Sequence, residues 1–322
     1  MQVAVMGFGT VGSGVVELIL KNKKSIEERC GQKSLDVKHI LDIRDFSSHQ
    51  LANLFTKDFN DILNDKDVEI VVETMGGLNP AFDFVSKCLE AGKSVVTSNK
   101  ELVAAKGYEL LELAKKNNVK FMIAQVLRFW PEYELLKDIF DTQKYGKLLS
   151  GTMTRLGCYP KWSWDGWMMD EKRSGLTPFD LHIHDLDFMV YAFGQPVTVQ
   201  SSRSKRPEQD YISATYKFDD FFVTTEAAWY AAPLPFGAGF RFQFEEALVT
   251  YEDGRCMVYQ NDDTILDLSA GESAGEGSIN LPRTNAYANE IHYFAECVRT
   301  GKNPDRIKPS ELETVINILN RI

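Results

Sequence analysis

The sequence is poor in cysteine and contains no long apolar run. Its five cysteines are scattered and form no Cys-x-x-Cys pair or Cys/His group. An odd, scattered set argues against a disulfide framework or a zinc site and favours free thiols in a reducing compartment. No apolar run is long enough to span a membrane, and the chain enters a strand pattern directly, without a signal-peptide leader. We therefore expect a cytoplasmic protein without a membrane partner.

Basic residues are also in deficit. The chain has 36 Lys and Arg against 46 Asp and Glu, which gives a net charge of -10. Nucleic acids and anionic membranes need clustered positive charge, so neither is expected as a partner. Neither an internal repeat nor a long low-complexity linker is present. With 322 residues, of which 44% are hydrophobic and 25% charged, the chain has the size and composition of two globular domains.

Glycines stand out at the start of the chain. An apolar strand pattern ends at Gly7, and a helical pattern runs from Val11 through Leu20. A Gly-x-Gly-x-x-Gly motif between a strand and a helix is the context in which backbone N–H groups hold the pyrophosphate of a dinucleotide. The alternative is a glycine-rich turn with packing duties alone. The residues expected to bind the cofactor here are Gly7, Phe8, Gly9, Thr10, Val11 and Gly12.

A second strand pattern, Val37–Leu41, ends at Asp42-Ile-Arg44. An acid in this place bonds the adenosine ribose of NAD, whereas an arginine favours the 2′-phosphate of NADP. Because both residues are present, both cofactors stay open, with NAD slightly favoured. Asp42 lies further from the glycines than the usual ~20 residues, since the Lys21–Ser34 stretch lengthens the first crossover.

Short strands and helices continue to alternate after this point. The strands Val68–Glu73 and Ser94–Thr97 flank a helix at Pro80–Ala91, which predicts a parallel, doubly wound sheet. In such sheets ligands bind beyond the carboxyl ends of the strands. The residues that follow these strands are therefore expected to contact the cofactor, and they are Met75, Gly76, Gly77 and Asn99. Lys100 is expected at the same edge as a catalytic cation.

Acids and histidines alternate in a helical pattern at Leu176–Phe193. At ~100° per residue, Asp180, His184 and Asp187 share one face, with His182 and Asp185 nearly opposite. Asp180 can then orient His184 as a general base. A satisfied core histidine near an acidic helix start is the alternative. A metal site is a further alternative, but the periodicity separates His182 from the acidic face, so no metal is expected.

The pattern from Val197 onward is one of alternating strands with hairpin turns, which predicts a mostly antiparallel sheet. The strands are Val197–Arg203, Tyr211–Phe218, Phe222–Tyr230, Phe240–Glu246, Leu248–Tyr251, Cys256–Tyr259 and Thr264–Leu268. Two helices, Tyr287–Arg299 and Pro309–Ile322, close the chain, and Gly271–Gly277 is expected to be a mobile loop. Before this sheet, a tryptophan-rich stretch contains Trp162 and Trp167, which either line a substrate pocket or form a packing cluster.

Two resemblances follow from these motifs. Residues 1–120 resemble the nucleotide-binding domain of homoserine dehydrogenases, in the runs Gly7–Val15, Val72–Gly77 and Val96–Leu102. Residues 121–322 instead resemble the substrate domain of the glucose–fructose oxidoreductase / inositol dehydrogenase family (Gfo/Idh/MocA), in runs that include Gln125–Tyr133, Thr154-Arg155, Asp180–Asp187 and Tyr287–Ile291. The acidic and lysine motifs by which homoserine dehydrogenases bind their amino acid are missing.

The second resemblance implies a catalytic triad of Lys100, Asp180 and His184. Lys100 fills the lysine's place by its order in the chain, although its neighbours read Asn-Lys-Glu instead of Glu-Lys-Pro. Substrate contacts are expected from Arg128, Arg155, Trp162 and Trp167. The family also implies that another subunit covers the second face of the antiparallel sheet, so a homodimer or homotetramer is expected.

The expected architecture is an α/β Rossmann domain at residues 1–123 followed by an α+β domain at residues 124–322. The last helix is a candidate to pack back on the first domain. The expected activity is NAD(P)-dependent hydride transfer at a carbinol of a sugar, polyol or related small hydroxy compound. A homoserine dehydrogenase-like enzyme and a non-catalytic NAD-sensing regulator are the alternatives. The second half of the chain argues against the former, and intact Lys100, Asp180 and His184 argue against the latter.

Overall fold

The computed structural model describes residues 1–21, 34–269 and 286–322. The chain divides into two compact units, Met1–Val126 with Ser273–Pro309, and Leu127–Glu272 with Ser310–Ile322. The predicted domain boundary between residues 123 and 124 stays a prediction. The lengthened first crossover at residues 22–33 and the loop expected at Gly271–Gly277 lie outside the described residues.

The strands and helices follow one another as the sequence patterns predict over most of the chain. The strands are β1 Gln2–Met6, β2 Asp36–Leu41, β3 Phe55–Thr56, β4 Val68–Glu73, β5 Ser94–Thr97, β6 Phe121–Ile123, β7 Leu148–Cys158, β8 Thr198–Arg206, β9 Gln209–Lys217, β10 Phe222–Tyr230, β11 Gly237–Phe244, β12 Ala247–Glu252, β13 Arg255–Gln260 and β14 Ile265–Asp267. The α-helices are α1 Thr10–Lys21, α2 Phe59–Leu63, α3 Ala81–Glu90, α4 Lys100–Lys116, α5 Pro131–Thr142, α6 Glu171–Ser174, α7 Ile183–Phe193, α8 Ala286–Thr300 and α9 Pro309–Leu319.

The first unit contains a six-stranded sheet in the order β3-β2-β1-β4-β5-β6. Every neighbouring pair in it is parallel, which confirms the doubly wound prediction. The central strands β1 and β4 are almost wholly buried, as expected for a parallel sheet with helices on both faces. The order reverses beside β1, so the carboxyl ends of β1 and β4 open at the switch point where such sheets bind ligands.

The second unit contains an eight-stranded sheet in the order β14-β13-β12-β11-β7-β10-β9-β8. Its pairs are antiparallel except β7 with β10, which run parallel. This confirms a mostly antiparallel second sheet. Strand β7 lies near its middle, and the sequence reading did not predict it. Its inward positions include Gly151, Arg155 and Gly157, which break the apolar alternation by which half-buried strands are recognised.

One face of this second sheet carries the core of its unit. Helices α5, α7 and α9 contribute buried side chains that pack with inward residues of the strands. Val315, Ile318 and Leu319 place the last helix in this core, while α8 belongs to the first unit. The opposite positions of the strands are partly exposed, in the alternation expected of a sheet with one covered face.

Two further expectations concern cysteines and membranes. The four described cysteines, Cys88, Cys158, Cys256 and Cys297, are free thiols, and burial raises the pKa of Cys88 and of Cys256 to about 12. Within the described ranges, no helix has both the length and the apolar character needed to cross a bilayer.

Candidate functional site

The glycine motif forms a tight turn between β1 and α1. Gly7 has a φ of +97°, and a Cβ there would lie 2.9 Å from the carbonyl oxygen of Thr74. A Cβ on Gly12 would collide with the carbonyl of Gly7, so both glycines are needed for packing. A Cβ on Gly9, by contrast, would meet nothing within 4 Å. The space beside Gly9 is therefore open, as a site for a closely approaching pyrophosphate requires.

Helix α1 starts directly after this turn. Its first helical hydrogen bond runs from the N–H of Ser13 to the carbonyl of Gly9. The N–H groups of Thr10, Val11 and Gly12 precede that bond at the positive end of the helix dipole, where anions bind. Val11 is 51% exposed. The geometry of the turn thus fits a phosphate group.

Asp42 closes the end of β2 and is saturated with hydrogen bonds. Its Oδ2 accepts from the backbone N–H of Phe8 at 2.8 Å and from Nη2 of Arg44 at 2.8 Å. Its Oδ1 accepts from the backbone N–H and from Nε of Arg44, at 3.0 and 2.9 Å. These bonds lower the pKa of Asp42 although burial acts against them more strongly than any one of them. Because a carboxylate offers about four acceptor positions, the contacts within the protein use all of them.

An aromatic cluster that no sequence pattern indicated packs beside Asp42 and the glycine turn. Phe8 packs edge-on against Phe46 and Phe55, with ring centroids 5.3 and 4.8 Å apart, and Phe46 stacks on Phe55. The Arg44 guanidinium lies 5.0 Å from the centre of the Phe46 ring. Phe8 was expected to contact the cofactor. Its N–H is engaged by Asp42 and its ring by the cluster, so its contacts described here anchor the glycine turn.

The loop after β4 and the start of α4 contain the other predicted cofactor residues. Gly76 and Gly77 adopt positive φ angles of 77° and 71°, and Asn99 donates from its side chain to the carbonyl of Gly77 at 2.6 Å. Asn99 also caps α4 by accepting from the N–H of Leu102. Lys100 is the first residue of that helix and is partly exposed. Met75, Gly76, Gly77, Asn99 and Lys100 therefore lie at the carboxyl edge of the parallel sheet.

In the second unit, the acid–histidine segment differs from the single helix predicted at Leu176–Phe193. Leu176 has a left-handed φ of 55°, and a π-helical turn covers Pro178–His182 before α7 begins at Ile183. The 3.6-residue periodicity used in the prediction therefore holds only from Ile183 onward. Such π turns are frequent at functional sites.

Burial divides the titratable residues of this segment into two groups. Asp180 and His184 are partly exposed, whereas His182, Asp185 and Asp187 are at most 1% exposed. The helical periodicity predicts Asp187 on the same face as Asp180 and His184, but the structure buries its carboxylate in an ion pair with Arg128. Asp180 and His184 thus keep partial exposure, although Oδ2 of Asp180 and Nδ1 of His184 are themselves buried.

Each buried residue of the segment has a partner from another element. Arg155 on β7 binds Asp185, with Nη2 and Oδ1 2.8 Å apart. Arg128 binds Asp187 through Nε and Nη2 at 2.8 and 2.7 Å. It also binds Glu311 of α9 at 2.5 Å. Its guanidinium is 0% exposed. These ion pairs fix α7 against its surroundings, and the predicted role of the two arginines in substrate binding stays a prediction.

His182 is held by the sheet. Its Nε2 lies 2.5 Å from the hydroxyl of Tyr216 on β9, and both side chains are fully buried. Burial, aided by the positive charge of Arg155, lowers the pKa of His182 to about 4. His182 is therefore neutral at neutral pH and belongs to the core.

The tryptophans differ from the arginines in their exposure. Trp162 is 60% exposed and Trp167 38% exposed. Both lie near a short turn in which Asp165 and Gly166 have positive φ angles. Their exposure fits a surface that meets a ligand or another chain better than a core cluster.

As for metals, the part of the chain that the structure describes contains no group of three or more His, Cys, Asp or Glu side chains that could hold an ion.

Sequence comparisons divide the chain in the same two parts. The model of the homoserine dehydrogenase NAD-binding domain matches residues 7–124, and that of the GFO/IDH/MocA C-terminal domain matches residues 133–255. Homoserine dehydrogenase from Lactococcus lactis is 33% identical over 179 residues, which are 53% of this chain and 41% of that protein. The Corynebacterium glutamicum enzyme is 40% identical over 120 residues, 36% of this chain and 26% of its own. The chain thus spans less than half the length of these relatives.

Solved structures resemble the chain along its length. Levoglucosan dehydrogenase in complex with NADH and levoglucosan matches with a TM-score of 0.81 at 16% identity, covering 100% of this chain and 96% of that one. An NAD binding oxidoreductase from Klebsiella pneumoniae matches with a TM-score of 0.81 at 17% identity, covering 100% and 95%. At such identities the likeness concerns the fold. The first part of the chain is thus similar to the NAD-binding domain of homoserine dehydrogenases, and the second part to the GFO/IDH/MocA C-terminal domain.

Proposed function

We propose that the protein is an NAD(P)-dependent oxidoreductase that transfers a hydride between nicotinamide and a carbinol of a sugar, polyol or related hydroxy compound. The observation that carries the proposal is the partial exposure of Asp180 and His184, alone among the five aspartate and histidine residues of one segment, in a chain whose first unit has an open glycine cradle. A base and a dinucleotide site are the two parts that alcohol oxidation needs.

The proposed chemistry assigns one role to each side chain of the triad. When bound, the nicotinamide supplies hydride acceptance or donation at its C4 atom. His184 accepts the proton of the substrate hydroxyl, and Asp180 orients its ring and stabilises the imidazolium that forms. Lys100 stabilises negative charge that develops on the substrate oxygen. In the reverse direction, His184 returns the proton.

For the substrate, we favour Trp162 and Trp167 over the two arginines. Aromatic rings pack against the apolar faces of sugars, and these two rings are exposed. Arg128 and Arg155 instead bind carboxylates of the α7 segment. If an arginine left its carboxylate to bind a substrate, that carboxylate would stay buried without its charged partner. One of the structural neighbours is a levoglucosan dehydrogenase in complex with levoglucosan, a sugar derivative, which agrees with this substrate class.

The Asp42–Arg44 pair leads us to propose that NAD and NADP are both accepted, with NAD preferred. A ribose hydroxyl can bond to Asp42 only in exchange for an N–H of Arg44, whose side chain is 30% exposed and able to turn aside. The same guanidinium is a suitable partner for a 2′-phosphate.

The described thiols and the lack of a spanning helix in the described ranges suit our placement of the enzyme in the cytoplasm.

We further propose that two subunits associate through the open face of the second sheet. Paired residues of neighbouring strands point to the same face, so the register defines one continuous row across the sheet. It consists of Thr198, Lys217, Phe222, Ser150, Gln243, Leu248, Tyr259 and Ile265. The four apolar members of this row are between 36% and 61% exposed, which favours burial against a second copy. In sedimentation, Tyr259→Lys should shift a dimer towards monomer, whereas Ile43→Lys in the first unit should not.

The activity is tested by a screen with NAD and NADP against sugars, polyols and homoserine, followed by nicotinamide absorbance. Turnover of a sugar or polyol, and little of homoserine, is the expected result. Ordinary turnover of homoserine would instead favour the homoserine dehydrogenase alternative. Cofactor binding without turnover of any alcohol would favour an NAD-sensing regulator.

A further inference from the structure

Glu73 is a carboxylate without a role in the chemistry described above, and it is 0% exposed. It is the last residue of β4, so it lies at the carboxyl edge of the parallel sheet, directly before the loop of Met75, Gly76 and Gly77. Burying a charged group is costly unless hydrogen bonds satisfy it. A glutamate in this place therefore calls for a physical explanation.

Hydrogen bonds from two different segments converge on this carboxylate. From the loop after β4, the backbone N–H of Met75 donates to Oε1 at 2.7 Å. From the end of β5, the hydroxyl of Thr97 donates to Oε2 at 2.5 Å. Burial raises the pKa of Glu73, and the hydrogen bonds from Thr97 and Met75 oppose that rise.

Further hydrogen bonds connect the neighbours of Glu73 to the glycine turn and to the helix that begins at Lys100. Thr74, next to Glu73, donates its hydroxyl to the carbonyl of Gly7 at 2.9 Å. On the other side, Thr97 accepts from the N–H of Asn99 at 2.9 Å, and Asn99 caps the helix that begins at Lys100. Asn99 also bonds to the carbonyl of Gly77. Glu73 thus lies at the centre of a network that joins the loops following β1, β4 and β5.

We propose that Glu73 is a positioning residue that sets the cofactor loop Met75–Gly77 and the start of the Lys100 helix in one mutual arrangement. The proposal rests on the function proposed above. A neutral hydrophobic residue would fill the same space, but it would remove the acceptor of the Met75 N–H and of the buried Thr97 hydroxyl. The carboxylate holds both segments through charge-assisted bonds, which are stronger than neutral ones. Cofactor binding and the placement of Lys100 then depend on the same group.

Glu73→Gln tests the proposal because it keeps the size of the side chain and turns one acceptor into a donor. In an NADH titration of the purified full chain, the dissociation constant should rise about 10-fold or more, because a hydrogen bond to a charged group is lost. Glu69→Gln, on the same strand but with its side chain 54% exposed, is the matched control and should leave it unchanged. Thr97→Val, which removes one donor and keeps the β-branched shape, should give a smaller rise.

A second measurement separates positioning from plain stabilisation. After reductive methylation with labelled formaldehyde, the NMR titration midpoint of Lys100, assigned with Lys100→Arg, should move in Glu73→Gln and not in Glu69→Gln. An unchanged midpoint or an unchanged NADH affinity in a folded variant overturns the proposal. So does failure of both Glu73→Gln and Thr97→Val to fold, since the network would then serve stability alone. Wild-type protein that does not bind NADH or NADPH overturns the proposed function itself, and that result is separate.

Discussion

The Nε2 atom of His182 lies 2.5 Å from the hydroxyl oxygen of Tyr216, and both side chains are buried in the core of the second unit. This contact attaches the π-helical turn at Pro178–His182 to strand β9. The turn contains Asp180, and His184 follows it after one intervening residue, Ile183. His182 is thus a neutral core residue, whereas His184, two positions further along the chain, is partly exposed.

This burial predicts that acid destabilises the protein through His182. The folded pKa is about 4, whereas that of an unfolded histidine is ~6.5. Because the unfolded chain binds the proton more readily, the contribution to the free energy of unfolding is complete above the unfolded pKa. It is lost progressively as the pH falls towards the folded pKa. Urea unfolding at pH 7.5 and pH 5.0 measures this loss.

His182→Gln should make the difference between the two pH values smaller by about 2 kcal/mol, since ~1.4 kcal/mol corresponds to one pKa unit. Tyr216→Phe is the control that keeps the buried imidazole and removes only its hydroxyl partner, so it should keep most of the pH dependence. An equal pH dependence in wild type and His182→Gln would show that His182 is not the group responsible.

The two outer glycines of the turn are expected to differ from the middle one. Gly9→Val should abolish cofactor binding, because its side chain would fill the open space beside the turn, and the fold should survive since a Cβ there meets no atom within 4 Å. Gly12→Ala should instead lower the thermal unfolding temperature, because its Cβ would collide with the Gly7 carbonyl. Calorimetric titration with NADH, alongside thermal unfolding, distinguishes the two. Normal NADH affinity in folded Gly9→Val would contradict the cradle.

Arg44 is expected to govern the choice between cofactors. Arg44→Ala removes the guanidinium that occupies Asp42 and would meet a 2′-phosphate, so NADPH should bind about 10-fold or more weakly. NADH affinity should stay equal or improve, because Asp42 regains acceptor positions. Fluorescence titration with both nucleotides gives the ratio. A parallel loss for both would mean that Arg44 supports the site as a whole, through Phe46 and Phe8.

Four strands of the first sheet could be read from the sequence because they are short apolar runs that end at glycines or polar turns, whereas the very short β3 and β6 were not predicted. β1, β4 and β5 owe this pattern to burial on both faces. Strand β7 could not be read in the same way, since Gly151 and Gly157 make room for the rings of Phe242, Trp229 and Phe236. Their small size matters only once those rings are in place. Such complementarity is a tertiary property that local periodicity does not contain.

The site was predictable to a similar degree. Asp180 and His184 could be selected from spacing and resemblance, and the structure places both at partly exposed positions. The ion pair of Arg128 with Asp187 joins residues 59 apart in the chain, and its contact with Glu311 spans 183. No local pattern reveals such partners. The buried Glu73 was visible only as the end of an apolar strand, so the sequence reading passed over it.

His184 carries the central prediction. His184→Ala should lower turnover by ~10²–10⁴, the usual contribution of a general base, on whichever sugar or polyol the screen identifies. NADH affinity should change little, because the cofactor residues belong to the first unit. Asp180→Asn should reduce turnover less and should move the pH at which turnover falls, since the carboxylate no longer stabilises the imidazolium.

A histidine elsewhere controls for unspecific damage. His39, whose Nε2 lies 2.7 Å from Asp65 in the first unit, can be changed to alanine and should leave turnover nearly intact. Lys100→Met should lower turnover as well, because the charge on the substrate oxygen then has no cation to stabilise it. Full turnover in His184→Ala on the true substrate would remove this residue from the mechanism. The regulator hypothesis would gain if wild type and all four variants bound NADH equally and oxidised nothing.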